Sequence, residues 1–441
     1  MILKSFVAAA LALLLAGTAS AQTGSLEDRV KALEIKTEDK KTPAAGGTGT
    51  GVQAYFDDGL QFRTDDKSFM GHIGAFGIFH YTSNATFNDS DNRFDGFTIK
   101  MVAIDVEGRL WQSFSGFVRA IFNSGGSTLF LGWAEFNKWD AFKIRVGLMK
   151  VPYSQEFLED PRWTDMPENS LLGMTVPGRD LGAMVFGSPI EGGIFQYWLG
   201  LFNGTGPSAG TENNSDKELS IRLAIRPGAK AESDAIKNLT LAVSYTRGVA
   251  GRDSGAPTVF QAPASGTIFH FGPNTFKSDY ERTRFGVDLV WIWGPFSVKG
   301  EWSYFKSKHQ FIDGSHDPMR MVAYMGEVGF WLLGGTRLNN KRPQIKKALF
   351  QDGGFGDVQI VGRYSAINLE DALENEAGWG GSRNAQEVAI GLNYYPNSFV
   401  RVSAMYVYYR YDHKDTRRFF TPDGQVIDNE SVFVFRAQID F

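Results

Sequence analysis

Apolar and polar side chains alternate along the chain from about residue 67 to the C-terminus. Between 219 and 225 every odd position is Leu or Ile, and Arg222 is among the residues between them. Between 433 and 441 every odd position is again apolar, and Arg436 stands at an even one. A period of two is typical of β-strands with one apolar face. Sixteen such segments begin near residues 67, 94, 113, 130, 141, 181, 192, 217, 237, 280, 295, 320, 356, 384, 398 and 431.

The connections between these segments alternate in length. Short turns lie near 138–140, 189–191, 293–295 and 396–397, and long polar loops lie at 150–180, 203–216, 248–279, 307–319, 367–383 and 412–430. One connection, 334–355, is long where a short turn is expected. An even number of strands, with long loops at one end and short turns at the other, is typical of bacterial outer-membrane barrels. The pattern predicts an all-β fold, a transmembrane antiparallel β-barrel of about 16 strands.

A soluble β-sandwich would show the same alternation, so the period alone does not decide between the two folds. Aromatic residues cluster at strand ends, for example at Trp291, Trp293, Tyr408 and Tyr409, as in the aromatic belts of membrane proteins. Sixteen strands would also need more than one soluble core, whereas a closed barrel in lipid pairs every backbone polar group. Both features favour the barrel.

The first 66 residues follow other patterns. Lys4, an apolar run and the triplet Ala19-Ser20-Ala21 are the parts of a secretory signal cleaved after Ala21. We therefore expect export, with the barrel in the bacterial outer membrane. The predicted organisation is a signal peptide at 1–21, a short periplasmic amphipathic or coiled-coil helix at 22–45, a linker and pre-barrel segment at 46–66, and a barrel domain at 67–441.

Composition excludes several classes of function. The 45 Lys and Arg nearly balance the 49 Asp and Glu, unlike the charge of a nucleic-acid-binding protein. The absence of Cys excludes disulfides, a thiolate zinc site and a cysteine nucleophile. The six His are scattered and form no His-Glu-x-x-His motif, and the carboxylates between 156 and 168 match no EF-hand spacing. We expect no enzyme activity, no metal and no other cofactor.

The polar face of each strand lines the pore if the apolar face meets lipid. On this parity Lys and Arg outnumber Asp and Glu inside the barrel, which indicates a mild preference for anions. The cations that the parity places inside are Lys100, Arg109, Arg119, Lys143, Arg145, Arg222, Arg226, Arg282, Arg284, Lys299, Arg363, Arg401 and Arg436. A shift of one residue in the register of a strand would reverse its assignment.

Several motifs between residues 57 and 441 resemble, in order, those of one known family. They include Asp58-Gly59-Leu60, Val106-Glu107-Gly108, Arg145-Val146-Gly147-Leu148, Pro177-Gly178-Arg179-Asp180-Leu181-Gly182, Gly362-Arg363-Tyr364-Ser365, Gly391-Leu392-Asn393-Tyr394-Tyr395-Pro396-Asn397 and Arg436-Ala437-Gln438-Ile439-Asp440-Phe441. In these motifs the chain resembles the porin O and porin P family of phosphate- and polyphosphate-selective outer-membrane porins. The resemblance implies a trimeric sixteen-stranded barrel whose third loop folds inward as a constriction.

The resemblance also implies a ladder of Arg and Lys that leads anions to a central site. Guanidinium and ammonium groups replace the hydration that a phosphate loses in a narrow pore. For solute contact we predict Lys100, Lys143, Arg145, Arg162, Arg179, Arg222 and Arg226, and for the constriction loop we predict Glu156, Glu159, Asp160, Trp163 and Glu168. The expected partners are outer-membrane lipid, two further copies of the chain, small anionic or other hydrophilic solutes and, through the N-terminal helix, peptidoglycan, with no nucleic acid.

Two departures from the family pattern affect specificity. Where the family carries Arg after Gly in the first strand, Gly74 is followed by Ala75, and the Arg-Arg pair of the second strand corresponds to Lys100-Met101. The third loop is also net acidic. We therefore expect passive diffusion of small hydrophilic solutes, with anions such as phosphate weakly favoured. Two alternatives stay open, a non-conducting structural or adhesive barrel and a barrel-type hydrolase.

Overall fold

The computed structural model describes residues 51–84, 95–205, 215–250, 259–265, 268–270, 280–308, 318–350, 353–368, 383–413, 419–420 and 426–441. The predicted signal peptide and N-terminal helix, at 1–21 and 22–45, lie outside these residues. No helix in the described part of the chain is long and apolar enough to cross a membrane.

Sixteen of the described strands form one closed antiparallel barrel, as predicted. They are β3 (Phe69–Asn84), β4 (Gly96–Leu110), β5 (Phe114–Asn123), β6 (Gly126–Trp139), β7 (Phe142–Lys150), β8 (Arg179–Ile190), β9 (Phe195–Phe202), β10 (Glu218–Ile225), β11 (Leu239–Ala250), β14 (Tyr280–Trp293), β15 (Phe296–Lys308), β16 (Pro318–Trp331), β17 (Asp357–Asn368), β18 (Arg383–Asn397), β19 (Val400–His413) and β22 (Asn429–Asp440). Each pairs with the next barrel strand, and β22 pairs with β3 to close the barrel. Every strand begins within four residues of its predicted start.

Six shorter strands lie outside the barrel wall. The hairpin of β1 (Val52–Phe56) and β2 (Leu60–Thr64) falls in the segment predicted as linker and pre-barrel, and β2 pairs with the start of β3. A second sheet joins the fifth and eighth loops through β12 (Val259–Gln261), β13 (Ile268–His270), β20 (Phe419–Phe420) and β21 (Val426–Ile427).

Side-chain exposure confirms which face of the barrel is apolar. In β22, Phe433, Phe435 and Ile439 are exposed outside, whereas Arg436 and Gln438 are buried inside. Every backbone group of such a wall pairs with a neighbouring strand, because the sheet has no free edge. An exposed apolar belt on a closed barrel is the surface that lipid requires.

The ends of the barrel differ, as the loop lengths predicted. Turns 111–113, 140–141, 191–194, 294–295 and 398–399 are short and lie at one end, which we call the short-turn end. The connection 332–356, which joins β16 to β17 at this same end, is long. A second connection, 226–238, carries the four-residue helix α2 (Asp234–Lys237).

The third loop, residues 151–178, folds into the barrel, as predicted. It contains the short helix α1 (Gln155–Leu158) and a 3₁₀ turn (Leu171–Thr175). Leu171 and Leu172 are fully buried against strands β15 to β18. The third loop is therefore a packed part of the barrel interior.

The wall that receives the loop is apolar on its inner side, which corrects the expectation that the apolar faces all meet lipid. Met321, Ala323 and Met325 of β16 point inward and are buried, as are Met405 and Val407 of β19. These strands are apolar on both faces because one face meets lipid and the other packs against the third loop.

Gly147 in β7 occupies a conformation and a space that exclude a side chain. Its φ is +129°, and an added Cβ would collide with the carbonyl oxygen of Gly132 and the Cα of Trp133. We expect Gly147→Ala to destabilise the barrel by about 1–3 kcal/mol. The midpoint of thermal unfolding, followed by circular dichroism in detergent, should fall accordingly. Gly108→Ala in β4 is the control, since a Cβ there meets no atom within 4 Å. Equal midpoints for the two variants would contradict this.

Candidate pore constriction and solute path

The third loop is held at its start by Glu301 of β15. Ser154 caps α1, because its Oγ accepts a hydrogen bond from the backbone N–H of Phe157 at 3.2 Å and donates one to Glu301 Oε2 at 2.7 Å. Glu301 Oε1 also accepts a hydrogen bond from the backbone N–H of Glu156. One carboxylate of the barrel wall thus fixes the first turn of the loop.

Glu156, predicted for the constriction loop, ties two parts of this loop to the wall. Its carboxylate accepts hydrogen bonds from the backbone N–H and the Oγ of Ser170, both at 2.8 Å, and from Arg363 of β17 at 3.4 Å. Arg363 also donates to Glu387 Oε1 at 2.7 Å and to the carbonyl of Glu168 at 2.8 Å. The charge of Glu156 is therefore balanced inside the protein.

Glu159 and Asp165 share two cations that lie outside the loop. Lys299 Nζ of β15 lies 2.9 Å from Glu159 and 2.8 Å from Asp165. Arg337, from the long connection at the short-turn end, pairs with both carboxylates and donates to the carbonyl of Trp163. Burial raises the pKa of Asp165, but Arg337 and Lys299 more than offset this and hold the pKa well below its usual range.

Asp160 lies between Arg119 of β5 and Arg162 of the loop. Its carboxylate is 2.8 Å from Arg119 Nη2 and accepts a hydrogen bond from Arg162 Nε at 2.9 Å. Arg119 also donates to Asp105 at 2.7 Å. The guanidinium of Arg162 packs 5.2 Å from the ring centre of Trp163, which is buried. Trp163 thus supports the ion-pair cluster rather than facing an open pore.

Glu168 joins the loop to β3 and β4. Both of its carboxylate oxygens accept hydrogen bonds from Lys100 Nζ at 2.7 Å, and His80 Nδ1 lies 3.1 Å from Oε1. Burial would raise the pKa of Glu168, but Lys100 and His80 outweigh burial and lower the pKa to about 2.

This pKa predicts a stability profile in acid. A carboxyl whose pKa falls from 4.5 to about 2 on folding stabilises the fold fully above pH 4.5, and the contribution is lost as the pH drops towards 2. We expect the thermal midpoint of Glu168→Gln to lie below that of the wild type at pH 7 and to converge with it near pH 2. Glu191→Gln, whose carboxylate is exposed, is the control. Parallel wild-type and Glu168→Gln curves down to pH 2 would refute this.

Two further wall cations bind backbone carbonyls of the loop. Arg401 donates to the carbonyls of Thr164 and Asp165 at 2.5 and 2.6 Å. Arg436 donates to the carbonyls of Pro161, at 3.3 Å, and Pro167. Among the described residues neither guanidinium has a carboxylate within 4.0 Å, so both keep an unbalanced positive charge behind the loop.

The opposite wall carries the other predicted solute contacts. Arg222 is 2% exposed, pairs with Asp288 and donates to the carbonyl of Tyr153 at 2.6 Å. Lys143 donates to the carbonyl of Ser188 at 2.7 Å. These two cations have partners within the protein that hold the wall together.

Arg145, Arg179 and Arg226 are less constrained. Arg145 pairs with Glu135 and lies 4.0 Å from the ring centre of Trp133. Arg179 donates to the carbonyl of Phe130 at 2.8 Å, and Arg226 donates to the carbonyl of Lys237 at 3.3 Å. Neither Arg179 nor Arg226 has a carboxylate within 4.0 Å among the described residues.

A cavity of about 650 Å³, which we call the side cavity, lies between the third loop and the wall from β4 to β14. Arg119, Arg145, Arg222 and Arg226 line it together with Lys150. Lys150 was not predicted, and its Nζ donates to two carbonyls of the loop, at 2.6 Å to Glu159 and 3.4 Å to Leu158. The cavity therefore runs beside the loop and is rich in cations.

Two further residues were missed, Lys299 and Arg337. Lys299 was assigned to the lumen by parity but not to the site, because its loop partners are more than 130 positions away in the chain. Arg337 lies in the connection that the sequence marked as an exception to the alternation of loop lengths. That exception was the available signal, since residues from this segment reach into the barrel.

Known proteins share both the sequence family and the fold. A family model described as phosphate-selective porin O and P matches residues 76–441. Porin O of Pseudomonas aeruginosa is 24% identical over 181 residues, which cover 38% of this chain and 38% of that protein.

Solved structures with the same fold include an anion-selective porin from Comamonas acidovorans, with a TM-score of 0.53 and 11% identity over 84% of this chain and 100% of that one. OmpT of Vibrio cholerae has a TM-score of 0.52 and 10% identity over 85% of this chain and 98% of that one.

Proposed function

Because the chain belongs to the phosphate-selective porin O and P family, we propose that it is a passive porin that admits small hydrophilic solutes and favours anions such as phosphate. The barrel and the family place it in the bacterial outer membrane, and we propose that the short-turn end faces the periplasm. We further propose that it assembles as a homotrimer in outer-membrane lipid, with a peptidoglycan contact through the N-terminal helix.

The balance of charges around the third loop supports anion passage. The carboxylates of Glu156, Glu159 and Asp165 each lie within 4.0 Å of at least one cation from a wall strand or from the long periplasmic connection. Lys150 and Arg226 have no carboxylate within 4.0 Å among the described residues. A net acidic loop sequence therefore coexists with a net cationic lining.

The two departures from the family pattern support weak rather than strict phosphate selectivity. Met101 is buried with Phe76 and Ile78 on the inner side of β3 and β4, so an apolar side chain occupies the place of one cation of the family's pair, and Lys100 occupies the other. The register places Phe76, rather than Ala75, on this inner face. The guanidinium groups of Arg119 and Arg162 lie 4.9 and 4.8 Å from the ring centre of Phe76, but both pair with Asp160.

Planar-bilayer recording in KCl tests the proposal, with inorganic phosphate added afterwards. We expect a steady single-channel conductance that phosphate reduces only at concentrations on the order of 1 mM or above. Block at micromolar phosphate would instead indicate that the pore is strictly selective for phosphate. No current from a correctly folded trimer would favour the structural or adhesive barrel.

Charge removal in the side cavity gives a second test. We expect Lys150→Gln combined with Arg226→Gln to reduce the ratio of chloride to potassium permeability at least about twofold, because both cations lack a balancing carboxylate. Lys230→Gln, a variant of an exposed periplasmic lysine, should leave the ratio unchanged. Wild-type selectivity in the double variant would show that these two cations do not influence the permeating ions.

The hydrolase alternative has one sequence feature in its favour. Residues 206–210 read Gly-Pro-Ser-Ala-Gly and match the Gly-x-Ser-x-Gly pattern. In hydrolases this pattern joins a strand to a helix, whereas here it lies between two barrel strands, β9 and β10, outside the described residues. We propose no catalytic role for it.

A further inference from the structure

We propose that the side cavity binds organic anions that combine a carboxylate with a flat apolar body, such as aromatic carboxylates. This inference rests on the proposed porin function and specifies a solute class for the same pore. A cavity of about 650 Å³ lies in the size range of small-molecule sites and is far larger than a single inorganic phosphate needs.

The lining of the side cavity carries the inference. Trp133 of β6 and Trp198 of β9 point inward, because they share the parity of Glu135 and Phe202 on their strands. Phe117 lines the cavity and stacks on Trp133 with ring centres 5.5 Å apart. Leu338, from the long periplasmic connection, completes the apolar lining and is 46% exposed.

Apolar rings in a water-filled pore need a physical reason. Each exposed ring face costs free energy in proportion to its area, and a solute with an apolar body recovers that cost when it covers the face. Inorganic phosphate has no apolar surface and gains nothing from Trp133 or Trp198. Both indoles also pack against the buried cluster of Met149, Met184 and Phe186, which holds the rings in place.

Cations lie at both ends of this apolar surface. Arg226 follows β10 at the periplasmic rim, and Lys341 of the long connection lines the same cavity without an ion pair among the described residues. Lys150 ends β7 on the side of the extracellular loops. The guanidinium of Arg145 lies over Trp133 at 4.0 Å. A carboxylate at the rim would thus place an attached ring beside Trp198.

The test compares benzoate with acetate as blockers of the chloride current in planar bilayers. The two anions have the same charged group, so the ratio of their half-blocking concentrations isolates the contribution of the ring. We expect benzoate to block at a concentration at least about tenfold lower than acetate. Trp198→Gln should reduce that ratio to below about threefold, and the ratio is measured against each variant's own chloride current.

Trp111→Gln is the matched control, because Trp111 lies exposed in a short turn and outside the cavity. If Trp198→Gln fails to fold, Arg226→Gln replaces it and should weaken block by both anions while the ratio stays high. Equal block by benzoate and acetate in the wild type overturns the inference but leaves the porin function standing. A folded trimer without chloride current overturns both.

Discussion

Lys299→Met should release the third loop from the barrel wall. Lys299 lies within 3.5 Å of three carboxylates, those of Glu159, Asp165 and Glu327, and all are buried. Removal of the cation leaves Glu159 and Asp165 with Arg337 alone and Glu327 with Arg363 at 3.9 Å. Breaking a buried ion pair typically costs about 3–5 kcal/mol. We expect a lower thermal midpoint, cleavage of the loop by added protease, and a single-channel current that fluctuates between levels.

Lys308→Met is the matched control in the same strand, because the side chain of Lys308 is 62% exposed and its ion pair with Glu281 lies at the surface. Such a pair contributes at most about 1 kcal/mol. A steady current and a protected loop in Lys299→Met would show that apolar packing alone positions the constriction.

Leu171→Asp should displace the third loop by disrupting its apolar packing against the barrel wall. Leu171 is fully buried with Met166, Met321 and Met325, and the substitution places a carboxylate in this apolar cluster. Loss of the leucine packing alone costs about 2–5 kcal/mol, and burial of the charge adds to this. We expect a wider, noisier channel or a barrel that no longer folds.

Leu171→Ala keeps this prediction testable if the aspartate variant does not fold, since it removes the packing without adding a charge. Leu60→Asp, in the exposed part of the β1–β2 hairpin, is the control for the new charge. Conductance of wild-type amplitude and noise in both Leu171 variants would contradict a packed constriction loop.

The barrel itself could be predicted from the sequence because its cause is local. Most strands alternate between an apolar face towards lipid and a polar face towards the lumen, and this period of two marks where they lie. The long connection at 332–356 was also visible, as an exception in loop length. The contacts of this connection could not be predicted, because no local pattern indicates that Arg337 reaches into the barrel and pairs with Glu159 and Asp165.

At the candidate site, the sequence did not show which charged residues pair with each other. Arg222 was predicted to contact solute, but it pairs with Asp288, 66 positions away in the chain. The third loop was predicted as an acidic constriction, but the cations that balance its carboxylates come from distant parts of the chain. Lys100 and Arg119 precede the loop, whereas Lys299, Arg337 and Arg363 follow it by more than a hundred residues. The sequence did carry one unused signal. Strands with apolar residues on both faces, such as β16 from Met319 to Met325, mark the wall on which the loop packs.

The zero-current potential across a KCl gradient tests the central claim most directly. If wall cations balance the carboxylates of the third loop, the field of the unpaired Lys and Arg dominates the pore. The potential of the wild-type trimer then has the sign of chloride selectivity, and its magnitude falls as the salt concentration rises and screens the field. A potential with the sign of potassium selectivity would mean that the acidic loop controls permeation, and it would contradict the pairing of its carboxylates described above.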